Sequence, residues 1–246
     1  MGNHRRFFID PSRISGDLIT ISGDTARQII TVLRLKEGDH ISLLDGTGQE
    51  YESQIITLAK NEITARIISA ECCIAEPKLQ LSLAICLPKG DKLDFIIQKC
   101  SELGISELIV VGSERSVAKL SSDKIETKLT RWRKIAMEAT EQSGRGRVID
   151  ITILEDIANL ADIVKKHPLA LVAWEDESQS SLKSTLRGNS KIDSIMMIIG
   201  PEGGFTQREI DQLRAAGAKC VSLGKRMLRC ETAAIAACAA IMYEIE

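Results

Sequence analysis

The residues that could do chemistry lie in two short runs near the C-terminus, Ile199-Gly-Pro-Glu-Gly-Gly-Phe-Thr206 and Leu223-Gly-Lys-Arg-Met-Leu-Arg-Cys-Glu-Thr-Ala-Ala234. Each follows an apolar, strand-like segment and runs straight into a helix-like one. Loops of that kind are where open α/β sheets bind ligands, and two so close in sequence predict one pocket built from both. Gly203 and Gly204 allow positive φ and close approach of a ligand to the backbone. Pro201 stiffens the entry, and Thr206 with Glu209 has the spacing of a capping box.

Glycines ahead of a helix first point to a phosphate cradle. Against that, the run lacks a Gly-Lys-Ser/Thr ending, and Glu202 places a carboxylate where phosphate would be repelled. A neutral or cationic ligand held by backbone groups fits better, and S-adenosylmethionine has that character. A bare strand–helix turn would also explain the first run taken alone. The second run adds Arg226 and Arg229 around Met227-Leu228, then Glu231-Thr232 opening an alanine-rich helix with six alanines between 233 and 240.

Positioning such loops takes a sheet, and the pattern along the chain supplies one. From residue 79 onward strand-like and helix-like segments alternate: strand 79–87, helix 91–103 ended by Gly104, strand 107–111, helix 124–143 ended by Gly144. The segments 149–154 and 157–166 follow, then strand 169–174, strand 195–199, helix 206–216, strand 219–223 and helix 231–245. Such alternation predicts an α/β fold with a mostly parallel sheet covered on both faces. Residues 1–72 read as all-β, with strands at 18–21, 39–44, 51–56 and 63–68, and one or two helical turns near 26–35 whose Ile29, Ile30, Leu33 and Leu35 could cover a barrel end. The linker is 71–78, carrying Pro77, and separates this unit from a domain spanning 79–246.

The bulk composition fits a globular chain with no bias toward membranes. Of the 246 residues 44% are hydrophobic and 27% charged, with a net charge of −2. Aromatics make up 3%, too few for a base-stacking platform. Seven cysteines without a Cys-x-x-Cys pair, and three histidines, offer no zinc-ligand spacing and read as buried free thiols in a reducing compartment. The N-terminal residues lack a signal-peptide apolar core, and no run is long enough to span a bilayer. The expected location is cytoplasmic.

Several stretches together resemble the SPOUT class of RNA methyltransferases, specifically the bacterial family that methylates N3 of a uridine in small-subunit (16S) ribosomal RNA. They are Arg6-Phe7-Phe8, Val32-Leu-Arg-Leu35 with Gly38-Asp39, Leu87-Pro-Lys-Gly-Asp-Lys92 and Gln98-Lys-Cys-Ser-Glu-Leu-Gly104. Arg131-Trp132, Ala136, Glu141-Gln142, Arg145 and the two C-terminal runs complete the match. Three positions depart from the family pattern: Gln28 stands in place of a histidine, Cys230 in place of a threonine, and Ile149-Asp150 where a proline is common.

The resemblance implies a C-terminal α/β-knot domain, in which a trefoil knot folds the loops around S-adenosylmethionine, and an N-terminal PUA-like β-barrel that helps to grip RNA. The cofactor-binding residues it implies are Leu171, Ile199, Gly200, Pro201, Glu202, Gly203, Gly204, Leu223, Gly224, Met227, Leu228, Thr232 and Ala233. It further implies a homodimer with the active site near the subunit interface and small-subunit ribosomal RNA as partner.

Attack of uracil N3 on a methyl carbon needs an acceptor for the N3 proton and a stabiliser for the developing anion. Arg229 is the candidate stabiliser. Glu231 and Glu202 are both candidate acceptors, although Glu231 could simply satisfy the helix dipole and Glu202 could bond neighbouring N–H groups. For RNA contact the candidates are Arg145 and Arg147, bracketed by glycines, with Arg226 and, in the first unit, Arg5, Arg6 and Arg34. Residues 128–147 and 204–230 each carry an excess of four positive charges, whereas the first 76 residues carry an excess of three negative ones. Trp132 and Trp174 read as core residues.

Overall fold

The computed structural model describes residues 6–116, 122–189 and 192–246. Two compact units emerge, and the division is not a single cut in the chain: Met1–Glu76 groups with Thr140–Val148, and Pro77–Ala139 groups with Ile149–Glu246.

The first unit is one six-stranded sheet. Its strands are β1 (Arg6–Phe8), β2 (Ile14–Ser15), β3 (Leu18–Ser22), β4 (His40–Leu44), β5 (Gln49–Leu58) and β6 (Glu62–Cys72), arranged β1-β4-β5-β6-β3-β2. β1 runs parallel to β4 and the remaining pairs are antiparallel. Alternating residues of β1 and β3–β6 converge on one core, so the sheet coils over itself; bulges after Glu52 and Ile55 bend β5 to allow it. The helical turns expected near 26–35 are α1 (Gly23–Arg27) and a wider π turn over Gln28–Val32. Ile29 and Leu35 are buried in that core, and Ile30 and Leu33 pack against it. β1 and β2 are too short to announce themselves by alternation.

Thr140–Val148 joins this unit through a carboxylate. Glu76 Oε1 accepts from the backbone N–H groups of Gly146 (2.8 Å) and Arg147 (2.9 Å), and Glu76 Oε2 pairs with the Arg145 guanidinium at 3.0 Å. These bonds link residues about 70 positions apart, which no linear pattern in the sequence reveals.

The second unit is a six-stranded, wholly parallel sheet: β7 (Gln80–Cys86), β8 (Glu107–Val111), β9 (Asp150–Leu154), β10 (Leu169–Ala173), β11 (Ser194–Ile199) and β12 (Lys219–Val221), ordered β12-β10-β11-β7-β8-β9. Both faces are covered, which is why Leu81–Cys86 are all buried and the run is apolar at every position but Ser82. One face carries Ala84, Cys86, Val172, Met196 and Ile198 beneath α4 (Ile157–Val164) and α6 (Gln207–Ala215). On the other, α7 (Cys230–Ile245) packs on β7, β11, α2 (Lys92–Glu102) and α5 (Leu182–Arg187). Ala233, Ala234, Ala237 and Cys238 form the buried side of α7, and such small side chains let helices approach closely. The long α3 (Ser122–Ser143) docks on α2, where Trp132 is buried and its Nε1 donates to Asp94 Oδ1 at 3.2 Å. Trp132 is thus a core residue, as read from sequence.

Arg145 is 3% exposed. Replacing Glu76 with alanine removes a carboxylate from this buried guanidinium and an acceptor from two backbone N–H groups. We expect Glu76→Ala to lower unfolding stability by about 3 kcal/mol, measured by urea denaturation; a loss below about 0.5 kcal/mol would show that the contact contributes little.

Candidate active site

Because β10, β11 and β12 are mutually parallel, their C-terminal ends finish at one sheet edge. Val172 lies opposite Ile198 and Ala173 opposite Val221, so the loops that follow start side by side. β7 ends at the same edge, with Ile85 opposite Ile199. The first and second motif runs are two of these loops. A third, after β10, is tied to the loop after β12: Ser222 N–H donates to the Ser180 carbonyl (2.8 Å) and Leu182 N–H to the Ser222 carbonyl (3.0 Å).

The first loop leaves β11 at Ile199, turns through Gly200–Gly204 and enters α6. Gly204 N–H closes the turn on the Pro201 carbonyl at 3.0 Å. Gly204 has φ +68°, a left-handed conformation that favours glycine, and the Glu175 carboxylate lies on the side where a Cβ would point. Arg115 Nη1 donates to the Gly203 carbonyl at 3.0 Å. The capping box forms as expected, and its carboxylate does more than cap. Glu209 is 2% exposed; Oε2 accepts from Thr206 N–H (2.8 Å) while Oε1 accepts from Glu114 N–H (2.9 Å), fastening the loop after β8 to the start of α6.

The second loop leaves β12 exposed. Gly224, Lys225, Arg226, Met227 and Arg229 are all open to solvent, Met227 at 83%. Arg229 is the N-cap residue of α7, with extended backbone and no side-chain cap bond. Thr232 is exposed and Ala233 buried in the first turn of that helix.

Lys92, the first residue of α2, stands between the two motif runs. Its Nζ lies 2.9 Å from Glu202 Oε1 and 3.4 Å from Glu231 Oε2. Lys89 N–H also donates to Glu202 Oε1, at 3.2 Å. Burial pushes the Glu202 carboxyl up, but hydrogen bonds from Lys92, its own N–H and Lys89, with the Lys92 charge, outweigh it and leave the group below its ordinary value. Glu231 follows the same balance: burial raises it, and its own N–H, Lys92 and the Cys230 thiol bring it down further. Both carboxyls are therefore ionised at neutral pH. Burial and the two carboxylates push the Cys230 thiol up to about 12, so it stays protonated and donates to Glu231 Oε2 at 3.7 Å.

The structure sorts the expected site residues. Ile199, Gly200, Pro201, Glu202, Gly203, Gly204, Leu223, Gly224, Met227, Leu228, Thr232 and Ala233 belong to the two loops and their flanks, and Glu202 and Glu231 are brought together. Leu171 is different: it is fully buried in mid-strand, with Met197 and Lys219 opposite it on either side, and the loop-facing end of β10 is Ala173–Glu175. Lys92, Glu175 and Arg115 were not singled out in sequence. The Leu87–Lys92 stretch was the one signal, and only the fold reveals its target. A cleft of about 930 Å³ opens at the ends of β7, β8 and β9, lined by Leu87, Ser113, Asp156 and Arg208, and Glu209 joins its wall to the motif loop.

The arginines separate in the same way. Arg145 is buried against Glu76, which corrects its expected role as a mobile phosphate contact. Arg6 is likewise structural, bonded to Glu50 and, at 2.7 Å, to the Gly144 carbonyl. Arg147 is exposed and donates to the Thr47 carbonyl at 3.1 Å. Arg34 is exposed with φ +53°, beside Val32 at 72% exposure. Arg226 is exposed on the second loop, and Arg5 lies outside the described residues. Trp174 is half-buried with the Arg214 guanidinium 4.8 Å from its ring centre, an intramolecular cation–π contact.

Comparison with known proteins agrees with this geometry. The RNA methyltransferase domain model matches residues 75–242, and the RNA methyltransferase PUA domain model matches residues 21–68. Ribosomal RNA small subunit methyltransferase E of Bacillus subtilis is 32% identical, the match covering 98% of this chain and 97% of that protein. The protein of the same name from Rickettsia conorii is 33% identical over 97% of this chain and 95% of its own. The crystal structure of a ribosomal RNA small subunit methyltransferase E from Neisseria gonorrhoeae bound to S-adenosyl methionine superposes with a TM-score of 0.81 at 29% identity, covering 98% of both chains. With a parallel α/β unit carrying the paired motif loops and a PUA domain ahead of it, the chain belongs to the RNA methyltransferase family.

Proposed function

We propose that this protein transfers a methyl group from S-adenosylmethionine to N3 of a uridine in the 16S RNA of the small ribosomal subunit. The observation that carries the reading is the convergence, at one sheet edge, of two ionised carboxylates and an exposed arginine beside the glycine turn that enters α6. The cofactor fits those surroundings. Its positive groups suit a rim bearing Glu175, Glu202 and Glu231. When bound, it supplies an electrophilic methyl carbon.

The chain's own residues would do the rest. Glu202 or Glu231, both ionised, accepts the N3 proton. Arg229, held at the positive end of α7 and always charged, stabilises negative charge on the uracil carbonyls. Exposed Arg226, Arg147 and Arg34 supply phosphate contacts on their respective units. The strand order, with α7 returning from edge strand β12 to cover β7 and β11, supports the knotted path that the sequence resemblance implies. The exposed Tyr243 on α7 and Phe95 on α2, at 89% and 49%, support a homodimer built on this helical face. Among the described residues no helix is long and apolar enough to cross a membrane, and a cytoplasmic setting follows from the ribosomal substrate.

Incubating the protein and labelled cofactor with unmethylated small subunits, free ribosomal RNA and transfer RNA tests the reading. We expect label in the 16S RNA and a reverse-transcription stop at one uridine, since an N3 methyl blocks base pairing; label only in transfer RNA refutes it. Arg229→Ala is expected to bind cofactor normally and lose about 10²-fold in kcat. Gly204→Ala should raise the cofactor Kd by about ten-fold or more, read by calorimetry, because a side chain at φ +68° strains the turn. Tyr243→Glu should yield monomers in sedimentation; an unchanged dimer would place the interface elsewhere.

A further inference from the structure

Two carboxylates from separate loops, Glu202 and Glu231, share one ammonium group, that of Lys92 from a third element. We infer that Lys92 is a positioning residue of the methyl-transfer site, clamping both carboxylates in place so that the two motif loops form one proton-accepting centre. This rests on the proposed methyl transfer, and it assigns a role to a residue outside both motif loops.

The geometry carries the inference. Without Lys92, Glu202 and Glu231 would face each other across the space its Nζ now fills, and like charges would push the loops apart. Glu202 is anchored twice, by Nζ at 2.9 Å and by the Lys89 N–H at 3.2 Å, so its loop is fastened to the start of α2. Glu231 is held more loosely, its Oε2 lying 3.4 Å from Lys92 Nζ and accepting from the Cys230 thiol at 3.7 Å. The titratable side chains that face the pair are thus Lys92 from α2, which favours both ionised carboxylates, and Cys230 from α7, which favours that of Glu231. In the reaction the N3–H proton passes to one carboxylate oxygen while the N3–CH₃ bond forms. The S–CH₃ bond breaks, and its electron pair stays on sulfur.

Removing the ammonium must then make both carboxyls easier to protonate. In cofactor-free protein carrying ¹³C-labelled glutamate, with resonances assigned through Glu202→Gln and Glu231→Gln, Lys92→Met should raise both carboxyl titration midpoints by about one pH unit or more. Lys92→Arg, which keeps the charge, should leave them near wild type. In turnover on small subunits, the acid limb of the kcat profile should move upward by a similar amount in Lys92→Met and not in Lys92→Arg. Midpoints that stay in place overturn the clamp. Midpoints that move while the acid limb does not overturn its part in the reaction and leave a structural ion pair. A wild-type enzyme that methylates no RNA sinks the methyltransferase reading itself, whatever the midpoints do. Should Lys92→Met fail to fold, Lys92→Gln is scored by the same two measurements.

Discussion

Parallel pairing of β10, β11 and β12 is the constraint on which the rest of this protein depends. Hydrogen bonds along these ladders fix the strands in register, so their C-terminal ends emerge together and the loops beyond them share one edge. An antiparallel edge strand would send one of the motif runs to the far side of the sheet. The register is itself held by burial: β7, β8, β10 and β11 are apolar on both faces, and helices cover each face. Sliding a strand by one residue would exchange its two faces, moving Met196 and Ile198 out of the layer they share with α4 and α6.

On that frame, charge is arranged by pairing rather than by amount. A net charge of −2 gives no hint of a nucleic-acid partner. Locally, acids and bases meet in fixed combinations. Glu209 is buried because three donors compensate it, and it fastens two loops in doing so. Glu202 and Glu231 remain ionised because Lys92 lies between them. Arg229 and Arg226 stay open to solvent on the same edge, where an anionic substrate would meet them. Acids that would otherwise repel RNA are thus partly neutralised, and the unpaired side chains on the exposed loop are basic.

The first unit shows the same economy of function among its arginines. Arg6 and Arg145 are internal struts, one on Glu50 and the Gly144 carbonyl, the other on Glu76. Arg34 and Arg147 are at the surface. Glycines on either side of Arg145 gave it the look of a mobile loop residue. The carboxylate that immobilises it comes from the end of the preceding β-unit, about 69 positions earlier.

Local pattern, read from the sequence by itself, determined the α/β alternation, the all-β start, the helix stops at Gly104 and Gly144, the capping box at Thr206–Glu209 and the two runs that form the site. These are legible because periodicity, caps and glycine turns are properties of neighbouring residues. The resemblance of those runs to a methyltransferase family carried the chemistry. Only the tertiary structure decided which charges meet. Lys92 reaches Glu202 across 110 positions, Glu209 holds Glu114 across 95, and Thr140–Val148 leaves the α/β unit for the β unit. Leu171 falls inside a strand while Glu175, four residues on, reaches the glycine turn. Ion-pair and hydrogen-bond energies fall off within a few ångströms, so partner choice depends on distances that exist only after the sheet has formed.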